Sequence, residues 1–205
     1  MKHVDVPHGQ SLAWYLEQEI QLAQDVEEEL FFTWHVSPTV IYGRHQSREA
    51  EVNEAYCREH GIAVVQRKSG GGCVYADEGN LMLSLISPDT RSEAVFDRYM
   101  ATLARVLQSL GLPAVTTAHN DILLDGRKVS GNACYALKNA TIVHGTLLYD
   151  VNLDALEHAI TPSEAKLQKH AVQSVRQRVM NIRPLLRDIP DIATLAKRIS
   201  QAWLI

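Results

Sequence analysis

Apolar residues recur every three or four positions in several segments of the chain, which is the spacing of a helix that packs one face on a core. The pattern is clearest over residues 92–110, where Val95, Tyr99 and Leu103 share one face and Gly111 follows the run. It predicts further helices over residues 11–26, 48–60, 153–160, 164–169 and 192–205. The last three follow Asn, Ser or Asp, the residues that cap helix N-termini.

Shorter apolar stretches separated by turn residues predict the strands. They cover residues 30–36, 39–42, 62–66, 74–87, 115–124, 128–137 and 140–149, with 62–66 and 74–87 expected at the centre. Asp125-Gly126 between apolar runs is typical of a tight hairpin. Strands joined largely by hairpins, with helices between them, predict an α+β fold: a mixed, largely antiparallel sheet with helices packed outside it. We expect residues 1–205 to form a single domain.

Composition narrows the classes of function. The 205 residues carry a formal net charge of −4, which argues against a nucleic-acid partner because such a partner needs a basic surface. No apolar run reaches membrane-spanning length, and the start lacks the apolar core of a signal peptide. Three cysteines without metal-ligand spacing fit reduced thiols. The sequence therefore predicts a cytoplasmic protein that binds neither nucleic acid nor membrane.

A glycine-rich loop is the first candidate for a ligand site. Residues 66–72 read Gln-Arg-Lys-Ser-Gly-Gly-Gly between two strand-like runs. Successive glycine N–H groups can point into one concavity and bind an anion, and Arg67 and Lys68 add positive charge beside it. The alternative is a glycine bulge that only bends a sheet. The loop alone does not distinguish the two, because glycine-rich loops are weak motifs.

A second segment carries similar chemistry. Residues 120–134 read Asn-Asp-Ile-Leu-Leu-Asp-Gly-Arg-Lys-Val-Ser-Gly-Asn-Ala-Cys, and residues 144–148 read His-Gly-Thr-Leu-Leu. Together with the Arg-Lys-Ser-Gly-Gly-Gly loop, these motifs resemble the lipoate-protein ligase A family, which belongs to a larger group with biotin ligases and octanoyltransferases. The resemblance covers nearly the whole chain, from residues 31–46 to residues 174–181. It implies a biotin/lipoate ligase-like catalytic domain.

The resemblance also implies a chemistry and a set of site residues. The family joins lipoate to a lysine through a lipoyl-AMP intermediate, so the implied ligands are ATP, Mg²⁺ and lipoate. The implied partners are apo lipoyl domains, on E2 subunits of 2-oxoacid dehydrogenase complexes and on the glycine cleavage H protein. Lys128 is the expected catalytic residue, at the acyl carbonyl and phosphate where charge develops. The expected substrate and adenylate contacts are Arg67, Ser69, Gly70, Gly71, Gly72, Asn120, Asp121, Ser130, Gly131, Ala133 and His144, with Asp121 also the expected Mg²⁺ ligand.

Two departures from the family pattern leave an alternative open. The family commonly has His where this chain has Ala76, and Gln where it has Cys134. Relatives that move octanoyl groups use a cysteine as acyl acceptor, so Cys134 raises the alternative of an ATP-independent octanoyl or lipoyl acyltransferase working through a thioester. The simpler interpretation is that Cys134 is a small side chain filling the Gln site, and Cys73 is interpreted in the same way.

Length leaves a further question open. Ligases of this family usually carry an additional small C-terminal domain that helps in activation, and this sequence ends where that domain would begin. A separate accessory domain, a sequence that is a fragment, or an enzyme limited to transfer would each account for this. A lipoyl-AMP binding module that needs a partner for activation is the corresponding non-enzymatic hypothesis.

Overall fold

The computed structural model describes residues 1–160 and 178–204. Within them, ten strands and six α-helices follow one another along the chain. The strands are β1 (Lys2–His3), β2 (Leu30–Trp34), β3 (Thr39–Tyr42), β4 (Ala63–Gln66), β5 (Val74–Ala76), β6 (Asn80–Ser87), β7 (Val115–Thr116), β8 (Asp121–Leu124), β9 (Arg127–Ala136) and β10 (Thr141–Leu148). The helices are α1 (Leu12–Gln24), α2 (Arg48–Glu51), α3 (Glu54–Glu59), α4 (Ser92–Ser109), α5 (Leu153–Ala159) and α6 (Ile192–Trp203), with a 3₁₀ turn over Arg183–Leu185.

The strands form two sheets. The large sheet has the order β1-β2-β6-β10-β9-β8-β7, and each of its pairs is antiparallel except β1 with β2. The small sheet has the order β4-β3-β5, in which β3 runs parallel to β4 and antiparallel to β5. This arrangement confirms the predicted mixed, largely antiparallel α+β fold. Strands β6 and β10 are buried along their whole length, so the centre of the large sheet is covered on both faces.

Three apolar clusters show which elements cover which face. Helices α4 and α6 pack on one face of the large sheet, where Tyr99, Leu103 and Trp203 are buried. Helix α1 and the inner side of the small sheet pack on the opposite face. Helices α3 and α5 cover the outer side of the small sheet. The periodic apolar face of α4 buries its Val, Tyr, Met and Leu side chains, as the amphipathic pattern predicts.

Three sequence predictions need comment. The prediction of a single helix over residues 48–60 is wrong. Val52 is extended and forms a β-bridge with Ile160, so α2 ends there, and α3 begins after its N-cap Asn53. Strands β4 and β5 belong to the small sheet, so of the strands expected at the centre only β6 lies there. The helix expected over residues 164–169 lies outside the described residues.

Over the part of the chain that is described, no helix has the length and apolar character needed to cross a membrane.

Candidate active site

A cleft with about 560 Å³ of empty space lies between the large sheet, α1 and the small sheet. We call it the main cleft. One part of its lining is apolar and comes from α1, β2, β3, β5 and β6, and these side chains belong to a single apolar cluster: Leu12, Leu16, Trp34, Ile41, Val74 and Met82. The other part comes from the glycine loop, β9, β10 and the segment before β8: Arg67, Gly72, Cys73, Asn120, Lys128, Gly131, Asn132, Ala133, His144, Gly145 and Thr146.

The charges of this lining have one sign. Arg67 and Lys128 contribute positive charge, and among the described residues no Asp or Glu lines the main cleft. Apolar side chains beside two cations suit a ligand that has a hydrocarbon part and an anionic part.

Arg67 hydrogen-bonds mainly to the glycine loop that contains it. The residue is 7% exposed. Nη2 donates to the carbonyls of Gly70 and Gly72, both at 2.7 Å, Nη1 donates to the Ile41 carbonyl at 3.1 Å, and Nε donates to Ser69 Oγ at 3.1 Å. Burial lowers the pKa of the Arg67 guanidinium, although arginine remains charged in proteins. The hydrogen bonds of the guanidinium therefore fix the conformation of the glycine loop, and its positive charge lies beside the main cleft.

Lys128 is held much more lightly. The β8–β9 hairpin turns through Asp125 and Gly126, both at positive φ, and this turn brings β9 back beside Asp121 at the start of β8. Lys128 Nζ lies 2.7 Å from Asp121 Oδ1, and the two side chains are 29% and 31% exposed. The lysine side chain crosses Gly131 so closely that a Cβ there would lie 2.6 Å from Nζ. A glycine at this position thus lets the ammonium group reach the main cleft.

His144 connects the glycine loop to α1. Its Nε2 lies 2.7 Å from Ser69 Oγ, and its Nδ1 lies 3.1 Å from Glu19 Oε2. Glu19 Oε1 also accepts a hydrogen bond from Ser84 Oγ at 2.6 Å, and Ser84 accepts one from Trp34 Nε1 at 2.8 Å. Both imidazole nitrogens are therefore occupied by side chains of the protein.

The chain matches the family of the lipoyl protein ligase A/B catalytic domain over residues 11–204. The chain belongs to this family. It is 40% identical to lipoate–protein ligase 1 of Staphylococcus aureus over 172 residues, which cover 83% of this chain and 52% of that relative. The chain thus spans about half the length of this curated relative.

Solved structures share the fold. A crystal structure of lipoate-protein ligase A bound with ATP has a TM-score of 0.82 at 22% identity, covering 98% of this chain and 83% of that one. The bipartite lipoate protein ligase of Thermoplasma acidophilum, described with its E2 lipoyl domain, has a TM-score of 0.80 at 25% identity, covering 98% and 80%. The expected ligase-like α+β fold is confirmed by these similarities.

The structure brings most of the expected ligase residues to one place. Those that line the main cleft are Arg67, Gly72, Asn120, Lys128, Gly131, Ala133 and His144. Ser69, Gly70 and Gly71 belong to the same loop but do not line the main cleft, and Asp121 contacts it through Lys128. These placements leave the roles of the individual residues as predictions.

Ser130 and Cys134 lie on the other face of β9. Successive strand residues point to opposite faces, and Ala133 faces the main cleft beside His144. Ser130 is buried against Asn132. Cys134 packs against the apolar cluster that α4 and α6 form on one face of the large sheet, and burial raises the pKa of its thiol. The thioester alternative based on Cys134 is therefore not supported, because the thiol faces away from the cleft and burial disfavours the nucleophilic thiolate.

Two polar residues in or beneath the main cleft were not singled out from the sequence. Glu19 lies seven residues after Leu12 and four before Ala23, on the buried face of α1; a carboxylate at a core-facing helical position is the signal that could have found it. Asn132 sits inside the recognised motif, where its Nδ2 donates to the Asn120 carbonyl at 3.1 Å. This contact with Asn120 can be recognised only once the strand pairing of β9 is known.

Proposed function

We propose that this chain attaches lipoate to a lysine of a lipoyl-carrier domain, by way of lipoyl-AMP. The observation that carries the proposal is the continuity of the main cleft from its apolar lining to Arg67 and Lys128. A lipoyl group has a hydrocarbon chain that suits the apolar part, and its carboxylate and the adenylate phosphate suit the cations. The name of the Staphylococcus aureus relative, a lipoate ligase, supports the same activity.

The proposed reaction has two steps. A carboxylate oxygen of lipoate attacks the α-phosphorus of ATP, the bond to the β-phosphate oxygen breaks, and pyrophosphate leaves. The lysine amine then attacks the acyl carbonyl, AMP leaves with the bonding electron pair, and the nitrogen loses a proton to give the amide. In both steps negative charge develops on carbonyl or phosphate oxygens, and Lys128 is the group proposed to stabilise it.

Lys128 can turn from Asp121 to a ligand at small cost. Their ion pair is partly exposed, and pairs of this kind contribute about 0–1 kcal/mol to stability. Arg67 lacks this freedom because four of its neighbours accept hydrogen bonds from its side chain. We therefore assign catalysis to Lys128, and to Arg67 a fixed positive field and the shape of the loop.

Mg²⁺ is proposed to enter with the nucleotide. Among the described residues, no group of three or more His, Cys, Asp or Glu side chains could hold a metal ion. Mg²⁺ commonly takes only one or two carboxylates together with substrate phosphates and water, so Asp121 alone fits that requirement. Because Asp121 Oδ1 lies 2.7 Å from the Lys128 ammonium, the ion would share this carboxylate with Lys128. Mg²⁺ there would neutralise phosphate charge.

The proposed partners are apo lipoyl domains of E2 subunits and the glycine cleavage H protein, in the cytoplasm. The Thermoplasma acidophilum ligase was described with its own E2 lipoyl domain, which supports the first of these partners. The H protein carries the same kind of target, a lysine presented for lipoylation, and is proposed on that chemistry.

Mass spectrometry of an apo lipoyl domain tests the proposal. The domain is incubated with the protein and lipoyl-AMP, and separately with lipoate, ATP and Mg²⁺, with and without a candidate accessory domain. We expect one lipoyl group per domain from lipoyl-AMP, and none on a domain whose target lysine is replaced by arginine. Failure to modify the domain from lipoyl-AMP would contradict the proposal. The difference between the two incubations separates activation of lipoate from its transfer.

A further inference from the structure

A fully buried carboxylate lies beneath the main cleft. Glu19 is 0% exposed in the middle of α1, and burying a carboxylate is costly unless it is paired or hydrogen-bonded. The partners of this one are specific: the Ser84 hydroxyl at 2.6 Å from Oε1 and the His144 imidazole at 3.1 Å from Oε2. The chemistry proposed above does not use Glu19, and its position needs an explanation.

The hydrogen bonds around Glu19 form one continuous chain. It runs from Trp34 through Ser84 to Glu19, and from Glu19 through His144 and Ser69 to Arg67. Each step spans 2.6 to 3.1 Å, within the range of protein hydrogen bonds. The chain joins α1 and the large sheet to the guanidinium that shapes the glycine loop.

The carboxylate in the middle of this hydrogen-bond chain determines the direction of the hydrogen bonds on both of its sides. Indole N–H and guanidinium N–H groups only donate, and an ionised carboxylate only accepts. Ser84 accepts from Trp34, so its own proton goes to Glu19. Glu19 accepts from His144 Nδ1, so a neutral His144 carries its proton on Nδ1, and its unprotonated Nε2 accepts from the Ser69 hydroxyl. Ser69 in turn accepts from the Nε–H of Arg67.

We propose that Glu19 is a positioning residue for the acyl-adenylate site. Its carboxylate accepts from His144 Nδ1 and so holds His144 in the Nδ1–H form. His144 Nε2 then accepts a hydrogen bond from the Ser69 hydroxyl, and the Ser69 oxygen accepts one from Arg67 in the glycine loop. For its consequence in catalysis this inference rests on the proposed function. Helix α1 thus orders both parts of the main cleft, because Leu12 and Leu16 line the apolar part and Glu19 orients the loop at the cationic part.

The order Ser69, His144, Glu19 is also that of a hydrolase triad, but the geometry does not suit a nucleophile. Ser69 is 1% exposed and does not line the main cleft. An oxygen lone pair of the hydroxyl is occupied by Arg67 Nε–H, and a nucleophilic serine must present its oxygen to the substrate. Positioning, not covalent catalysis, is therefore the role that fits these three hydrogen-bonded residues.

The substitution Glu19→Gln tests the direction of the hydrogen bonds between Glu19, His144 and Ser69. The glutamine amide offers one acceptor and two donors, so with its oxygen at Ser84 its NH₂ group faces His144 Nδ1. We expect long-range ¹H–¹⁵N correlation spectra to show His144 as the Nδ1–H tautomer in the unmodified chain and as the Nε2–H tautomer in the variant. The spectrum of His144→Gln identifies the His144 signals. Glu17→Gln is the matched control, because Glu17 is exposed on the same helix.

The same variants are assayed for transfer from lipoyl-AMP. We expect Glu19→Gln to lower kcat by roughly 10-fold to 100-fold, the size of effect that a misplaced site can produce, while Glu17→Gln stays near the unmodified rate. An Nε2–H or doubly protonated His144 in the unmodified chain would overturn the inference, and so would a tautomer that Glu19→Gln does not change. A changed tautomer with transfer within twofold would remove the positioning role. Absence of transfer by the unmodified chain would contradict the proposed function, and the tautomer result would stand independently.

Discussion

Two segments of this chain look alike in sequence and are used in opposite ways. Arg67-Lys68 precedes Ser69-Gly70 in the glycine loop, and Arg127-Lys128 precedes the Val-Ser-Gly of β9. In the first pair the arginine is buried and the lysine is exposed; in the second the arginine is exposed and the lysine lines the main cleft. The same dipeptide thus supplies a structural cation in one place and a candidate catalytic cation in the other.

The difference lies in what surrounds each charge. Arg67 meets backbone carbonyls, which accept from several of its donors at once, and a planar guanidinium suits such a set of acceptors. Lys128 meets one carboxylate near solvent and has a flexible stem. A cation that must follow charge through a reaction needs the second environment, and a cation that must define a loop needs the first.

Lys128→Ala tests the catalytic half of this comparison. We expect the rate of lipoyl transfer from lipoyl-AMP to fall roughly 10²- to 10³-fold, as when one charge-stabilising donor is lost. The free energy of unfolding, measured by urea denaturation, should change by less than about 1 kcal/mol because the ion pair is partly exposed. Arg127→Ala is the matched control at the neighbouring exposed position and should leave both quantities nearly unchanged. Undiminished transfer by a folded Lys128→Ala protein would remove Lys128 from the site.

Arg67→Met tests the structural half. The methionine keeps an apolar stem of similar length but leaves the carbonyls of Ile41, Gly70 and Gly72 without their donor. Because such groups are costly to leave unpaired, we expect the free energy of unfolding to fall by roughly 2–3 kcal/mol, again measured by urea denaturation. Lys68→Met, one residue later and exposed, should change it little. Equal stability of the two variants would show that Arg67 does not organise the loop.

The sequence predicted those parts of the molecule that depend on local pattern. The helical period of α4, the Asp125-Gly126 turn and the residues of the two basic segments all follow from neighbouring positions. The ligase family and its α+β fold followed from the motifs, and the comparisons confirm both.

What the sequence did not predict depends on long-range pairing. The division into two sheets rests on the parallel pairing of β3 with β4, and the break between α2 and α3 on the bridge from Val52 to Ile160. Which residues of β9 face the main cleft depends on strand register, so Ser130 and Cys134 could not be placed beforehand. The proposed role of Glu19 depends on the positions of α1, β6 and β10, since its partners Ser84 and His144 lie on those two strands.

Gly71→Val sharpens the comparison within the loop that Arg67 shapes. Gly71 has φ +92, and a Cβ there would lie 3.0 Å from Arg67 Nη2, so a branched side chain is strained and presses on the guanidinium. We expect a loss of about 1–2 kcal/mol in binding of lipoyl-AMP, or roughly 5- to 30-fold in affinity, measured by isothermal titration calorimetry.

Gly70→Ala is the matched control for that substitution. Gly70 has an ordinary φ, and a Cβ there meets no atom within 4 Å, so affinity for lipoyl-AMP should stay within about twofold, well below a 1.4 kcal/mol change. Equal affinities for the two variants would mean that the glycines only bend the chain between β4 and β5. A loss confined to Gly71→Val would show that the loop binds through its backbone shape, which Arg67 sets and Lys128 does not.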